Sequence, residues 1–216
     1  MRLPIHREGF PFIALFAAVN LLAFLFATWA GVLLLAATIW CIAFFRDPER
    51  CAPQGDDLIL CPADGKLLPV TSAPPPPELG LGEEPRTRLS VFMNVFNVHV
   101  NRNPVAGEVT GLAYRAGKFF NASFDKASVH NERMAIRLRP AGGSPERDLA
   151  VVQIAGLVAR RIVCDLAQGQ KVTRGARFGI IRFGSRVDVY LPEGTEVLAR
   201  PGTKVRAGET VLARFT

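Results

Sequence analysis

Histidine, tryptophan and tyrosine are scarce in this chain: three, two and two copies in 216 residues. His6, His99 and His130 form no close ligand motif of the kind metalloenzymes use, so metal-assisted chemistry is not expected and no metal is assigned. Cys41, Cys51, Cys61 and Cys164 lack any C-x-x-C spacing, and one lies in an apolar segment. That pattern argues against a zinc site or a disulfide framework and leaves reduced thiols. Acidic residues are outnumbered, 19 against 26 basic, for a net charge of +7 and a pI near 9.7, which favours anionic partners. Zinc-finger spacing, an RNP-like aromatic signature and a concentrated basic helix are all missing, so nucleic acid is not expected, and anionic membrane lipid is the favoured partner.

Charge itself is missing from Phe10 to Phe45, 36 consecutive uncharged residues dominated by Phe, Leu, Ala, Ile and Val. The run continues well past the length of a signal peptide's apolar region, so removal is not expected. A single helix of that length would extend about 54 Å against roughly 30 Å of bilayer hydrocarbon. A break near Ala30-Gly31 is therefore expected, giving either a hairpin or a steeply tilted helix over residues 1–45. A hairpin puts Arg2 and Arg7 on the same side as Arg46 and Arg50, which predicts attachment to the cell (inner) membrane with the remainder, 46–216, in the cytoplasm. A soluble buried helical hairpin is the competing reading, disfavoured by so long an uncharged run.

Beyond Arg50 short runs alternate with period two: Leu89–Phe92, Val98–Val100, Met134–Leu138 and Val187–Tyr190 read as strands. Ser72–Pro85, with four successive prolines, reads as a loop or mobile excursion. Pro140–Pro145 reads as a turn, and a short helix is expected in part of Asn121–Arg133. The segments 169–175 and 202–208 share Gly-x-Lys-Val-x-x-Gly, an echo similar to the turns of lipoyl-type hybrid β-sandwiches. The expected class is α+β: a predominantly β catalytic domain with lipoyl-like hybrid β-sandwich character, preceded by the hydrophobic helical membrane segment.

Gly184-Ser185 joins an accessible carbonyl to a hydroxyl that needs only a base to attack it. Asp64 in Pro62-Ala63-Asp64-Gly65 and His99 in Asn97-Val98-His99-Val100-Asn101-Arg102 supply the other members of a serine–histidine–carboxylate constellation, which folding can assemble in any chain order. Taken singly, Gly-Ser and Asp-Gly are common turn dipeptides and His99 is a tolerated strand residue. Residues alone support serine-centred acyl transfer, which an ordinary triad hydrolase also fits.

With Phe44-Phe45-Arg46-Asp47-Pro48-Glu49-Arg50, Gly117–Ala122, Asn131-Glu132-Arg133, Ala159–Val163 and Gly175–Pro192, these motifs resemble the phosphatidylserine decarboxylase family in its short form, from about Phe44 to the C-terminus. The resemblance implies that Asp64, His99 and Ser185 are the self-processing triad and that Gly184–Ser185 is the bond cut. The products are then a large chain 1–184 and a small chain 185–216 that stay associated, with Ser185 converted to a pyruvoyl cofactor. It implies decarboxylation of phosphatidylserine to phosphatidylethanolamine through a Schiff base between substrate amine and pyruvoyl. Phe119, Phe120 and Arg133 are candidate substrate contacts, each also readable as core or salt-bridge residues, and a homodimer is an open partner expectation. Two departures stand out: Phe96 where many members carry a second histidine, and Arg186 where many carry threonine. The rival functions are decarboxylation of another seryl lipid, such as archaetidylserine, and a non-catalytic membrane-tethered β-domain binding anionic lipid or protein.

Overall fold

The computed structural model describes residues 4–117, 131–156, 161–182 and 184–216. The chain divides into two compact units, Met1–Glu49 and Arg50–Thr216.

In the first unit a 3-10 turn, Arg7–Gly9, leads into α1 (Phe10–Phe26), which a single extended residue, Ala27, separates from α2 (Thr28–Phe44). The break thus falls at Ala27, three residues before Ala30-Gly31. Gly31 is needed inside α2: a Cβ there would sit 2.4 Å from the Phe24 ring, and the Asn20 amide donates to the Gly31 carbonyl at 2.6 Å. The helices run antiparallel, because the chain entering and the chain leaving pair through an Ile5–Arg46 bridge, with His6 N donating to Phe45 O and Asp47 N to Pro4 O, both at 2.8 Å. Arg7 and Arg46 therefore lie at one end. Side chains such as Leu25, Phe26 and Trp29 are exposed at the other. Arg7–Phe26 is long and apolar enough to cross a bilayer, with a mean hydropathy of 2.2, whereas Thr28–Phe44 has 17 residues.

The second unit holds β1 (Leu58–Leu60), β2 (Gly65–Leu67), β3 (Thr71–Ala73), β4 (Arg86–Met93), β5 (Val100–Arg102), β6 (Gly107–Arg115), β7 (Arg133–Pro140), β8 (Leu149–Ala155), β9 (Ile162–Cys164), β10 (Lys171–Val172), β11 (Arg177–Ile181), β12 (Ser185–Tyr190), β13 (Thr195–Val197), β14 (Lys204–Val205) and β15 (Val211–Phe215). The class is α+β, mostly strand. Among the described residues every pairing is antiparallel: a large sheet ordered β10-β6-β7-β8-β12-β4-β2-β14 with β3 also on β4, and two three-stranded sheets, β1-β15-β13 and β5-β11-β9. Four alternating runs read from sequence fall in or beside β4, β5, β7 and β12. The Gly-x-Lys-Val-x-x-Gly echo forms the two-residue edge strands β10 and β14 at opposite ends of the large sheet, each bracketed by left-handed glycines. The helix expected within 121–133 lies largely outside the described residues; Arg133 opens β7.

Because successive strand side chains alternate, the large sheet has two buried faces. Leu89, Val91, Met93, Val151, Ala155, Val187 and Val189 point into the main core. Ala135, Ala150, Val152, Ile154 and Tyr190 form the second. The proline-rich segment closes this second face and is not a loose excursion: Leu79 and Leu81 are buried in it, worth about 1.5–3 kcal/mol each. Arg133 grips Glu78 through two nitrogens at 2.8 and 2.9 Å, while Arg137 donates to the carbonyls of Leu79 and Gly80. Prolines suit such a strap, since they lose little backbone entropy on docking.

Candidate active site

Ser185 is the first residue of β12, the strand held between β4 and β8, and it faces Met93 on one side and Ala155 on the other. Its side chain turns into the main core, completely buried, with Oγ 3.9 Å from Met93 Sδ. Gly184 precedes it with φ +74°, the left-handed region, and a Cβ built there would meet nothing within 4 Å. Glycine is therefore favoured at 184 by backbone conformation and not by crowding.

His99 immediately precedes β5 and is fully buried. Its Nδ1 lies 3.0 Å from the Asn97 carbonyl. A carbonyl can only accept, so Nδ1 carries the proton, and this tautomer leaves Nε2 with the lone pair a base requires. Two contacts describe the surroundings that His99 and Ser185 share. The His99 carbonyl accepts from Ile181 N at 3.4 Å, at the end of β11. Two residues further along the chain, in β5, Asn101 Nδ2 lies 3.9 Å from the Met93 sulfur that also contacts Ser185.

Asp64 sits in the turn between β1 and β2, next to a carbonyl that anchors β5: Pro62 O accepts from Arg102 N at 2.9 Å. Its carboxylate has two partners. Oδ2 takes Arg50 Nη2 and Oδ1 takes Ala207 N, both at 2.8 Å. Arg50, closing the Phe44–Arg50 motif, reaches Glu209 as well. Asp64 thus ties the turn around Ala207 to the site, while the Asn97 carbonyl holds the imidazole's tautomer.

Cys61, in the same turn, is no rival nucleophile. Burial pushes its thiol up to about 12, outweighing the hydrogen bond to Ala63 O, and the Asp64 charge adds to the rise. It stays protonated and weakly nucleophilic.

Arg133 is placed elsewhere. The register β7–β8–β12 aligns it with Ile154 and Arg186, one residue out of step with Ser185 and therefore on the opposite face. There it borders a cavity of ≈ 530 Å³ lined by Pro74–Pro77, Arg88 and Tyr190. Arg186 shares that face, locked to Asp188 at 2.6 and 2.7 Å. Phe119 and Phe120 lie outside the described residues. Among the described residues no group of three or more His, Cys, Asp or Glu side chains could hold a metal ion.

Met93, Asn101 and Gln153 escaped the sequence reading. Gln153 Nε2 donates to Asn101 Oδ1 at 2.8 Å, and both residues are fully buried. The signal was present: a lone glutamine interrupts the apolar run Leu149–Ala155, and asparagines follow His99 at alternate positions.

The comparisons with known proteins bear on this arrangement. The family model described as Phosphatidylserine decarboxylase matches residues 37–213. The chain belongs to the phosphatidylserine decarboxylase family. It is 58% identical over 216 residues to the phosphatidylserine decarboxylase proenzyme of Cereibacter sphaeroides, covering 99% of this chain and 90% of the relative. It is 56% identical over 213 residues to the proenzyme of Paramagnetospirillum magneticum, covering 97% and 86%. A proenzyme of Rickettsia africae is 53% identical over 211 residues, covering 98% and 90%.

Proposed function

We propose that the chain is a proenzyme that cuts itself at Gly184–Ser185 and then decarboxylates phosphatidylserine to phosphatidylethanolamine and carbon dioxide. The observation that supports this reading is a fully buried serine hydroxyl directly behind a glycine held at φ +74°. A hydrolase serine must meet an outside substrate, whereas self-attack needs only the preceding carbonyl.

His99 Nε2 takes the Ser185 hydroxyl proton as Oγ attacks the Gly184 carbonyl, and the proton passes to the departing Ser185 nitrogen, leaving an ester. Removal of the Ser185 Cα proton expels the Gly184 carboxylate and creates a dehydroalanine. Its imine tautomer takes up water and releases ammonia, so that residue 185 becomes a pyruvoyl. Asp64 supports the site by holding Arg50 and the turn around Ala207; direct pairing with His99 requires its carboxylate to exchange Arg50 for the imidazole. Once formed, the pyruvoyl carbonyls supply an electron sink for loss of carbon dioxide from a bound amino acid headgroup. The flanking strands β4 and β8 keep residue 185 in register, and His99 can return a proton to the carbon that has lost its carboxylate.

The apolar hairpin attaches the protein to the inner membrane, where a diacyl substrate resides, with the Arg7 and Arg46 end towards the cytoplasm. The second unit is read as having lipoyl-like hybrid β-sandwich character, and the paired Gly-x-Lys-Val-x-x-Gly edge strands are consistent with that reading. Intact-mass analysis tests the reading. Active protein is expected as chains 1–184 and 185–216, the small chain blocked to sequencing, and borohydride with phosphatidylserine is expected to join lipid mass to it. Ser185→Ala is expected to remain whole. Fully active wild-type protein in one piece overturns the reading.

A further inference from the structure

Gln153 is a polar side chain buried completely in the main core, and its carbonyl oxygen Oε1 finds no hydrogen-bond donor among the described residues. Its orientation is not arbitrary. Asn101 Nδ2 points at the Pro62 carbonyl, 3.5 Å away, so Asn101 must present Oδ1 to Gln153. Gln153 then has to answer with its NH2, which leaves Oε1 as a fixed acceptor. Leaving a buried acceptor without a donor is destabilising, so its retention calls for a partner.

The partner's place follows from the register. Gln153 lies opposite Val187 and Ala155 opposite Ser185, so Gln153 is the diagonal neighbour of residue 185 on the same face, within reach of a long side chain. Asn101, which holds Gln153, shares the Met93 sulfur with Ser185. After maturation residue 185 has lost its hydroxyl and its nitrogen and offers no donor of its own. The substrate brings a donor of its own there, because the seryl headgroup carries an amine.

We infer that Gln153 Oε1, held by Asn101, is the acceptor that receives the substrate's amino group and aligns it on residue 185. This rests on the maturation proposed above. The site thereby selects primary amines over headgroups without an N–H, such as a quaternary ammonium, at the step before chemistry.

The test uses full-length Gln153→Met and Gln153→Glu in detergent micelles containing phosphatidylserine. In the Glu variant burial favours the neutral carboxyl, which can donate to Asn101 as the amide does and still offer the second oxygen. Maturation is read by intact mass, and amine capture by the rate at which borohydride fixes lipid mass on the small chain, alongside the separate effects on KM and kcat. Both variants are expected to mature. Capture in the Met variant is expected to slow about 10- to 100-fold with a raised KM, the loss associated with a hydrogen bond to a charged group, while the Glu variant stays within about tenfold of wild type. Should the Met variant not fold, Gln153→Asn, whose acceptor stops one methylene short, takes its place with the same expected slowing. Capture at the wild-type rate in mature Gln153→Met, or equal damage in the Met and Glu variants, overturns the assignment. So does a folded variant that fails to mature, which makes Gln153 part of self-processing instead. Failure of the wild type itself to mature is a different result and strikes the proposed function.

Discussion

Replacing Gly184 with alanine isolates what the left-handed backbone contributes to self-cleavage. At φ +74° an added Cβ meets no atom within 4 Å, so the variant suffers no packing clash. The cost is conformational: about 1–2 kcal/mol for an L-residue in this region, and less for asparagine, which visits it more readily. If cleavage requires the carbonyl orientation set by that φ, alanine slows the reaction about 5- to 30-fold, since 1.36 kcal/mol is a factor of ten in rate. Asparagine is expected to fall between glycine and alanine. The assay is a quenched time course after cell-free synthesis, with the fraction of 1–184 and 185–216 read by mass. Stability is measured in parallel on precursors blocked by Ser185→Ala. A loss of about 1–2 kcal/mol from Gly184→Ala in that background means the native φ is held. An unchanged stability with slow cleavage means the backbone has relaxed and the carbonyl has turned away. Cleavage of Gly184→Ala at the glycine rate together with unchanged stability, a relaxed backbone that still reacts, would refute the claim that this conformation prepares the bond.

Cys61 provides an alkaline signature. Its folded pKa is raised from 9.0 to about 12, so its contribution to stability is complete below pH 9 and is lost as pH rises through the folded value. Across that window unfolding free energy falls by about 1.4 kcal/mol per pH unit from this group, and Cys61→Ala is expected to flatten that part of a denaturant-midpoint profile. In native protein exposed Cys51 reacts with a maleimide well before buried Cys61, and equal rates contradict the burial argument. Removal of residues 1–45 is expected to leave a soluble fraction after high-salt washing, because the salt screens any residual attraction of the basic domain to anionic lipid. Retention on washed membranes would show that the hairpin is not the anchor.

Membership of the family and an uncharged N-terminal run were legible in the sequence, because ordered motifs and a 36-residue absence of charge are local patterns. So was the predominance of strands, since period-two alternation in β4, β7 and β12 is itself the signature of a pleated, half-buried surface. Other features needed the tertiary structure. Proline content marked 72–85 as irregular, but whether it floats or docks depends on Leu79 and Leu81 finding the second face and on Arg133 and Arg137 reaching across from β7. Asp64 and His99 were identified by residue type, whereas their partners, Arg50, Ala207 N and the Asn97 carbonyl, are set by turns that bring distant segments together. The sequence could list Arg133 beside Ser185 as site candidates; only strand register puts them on opposite faces. A one-residue offset reverses where a side chain points, and that offset is fixed by pairing between strands far apart in the chain, which no local pattern encodes.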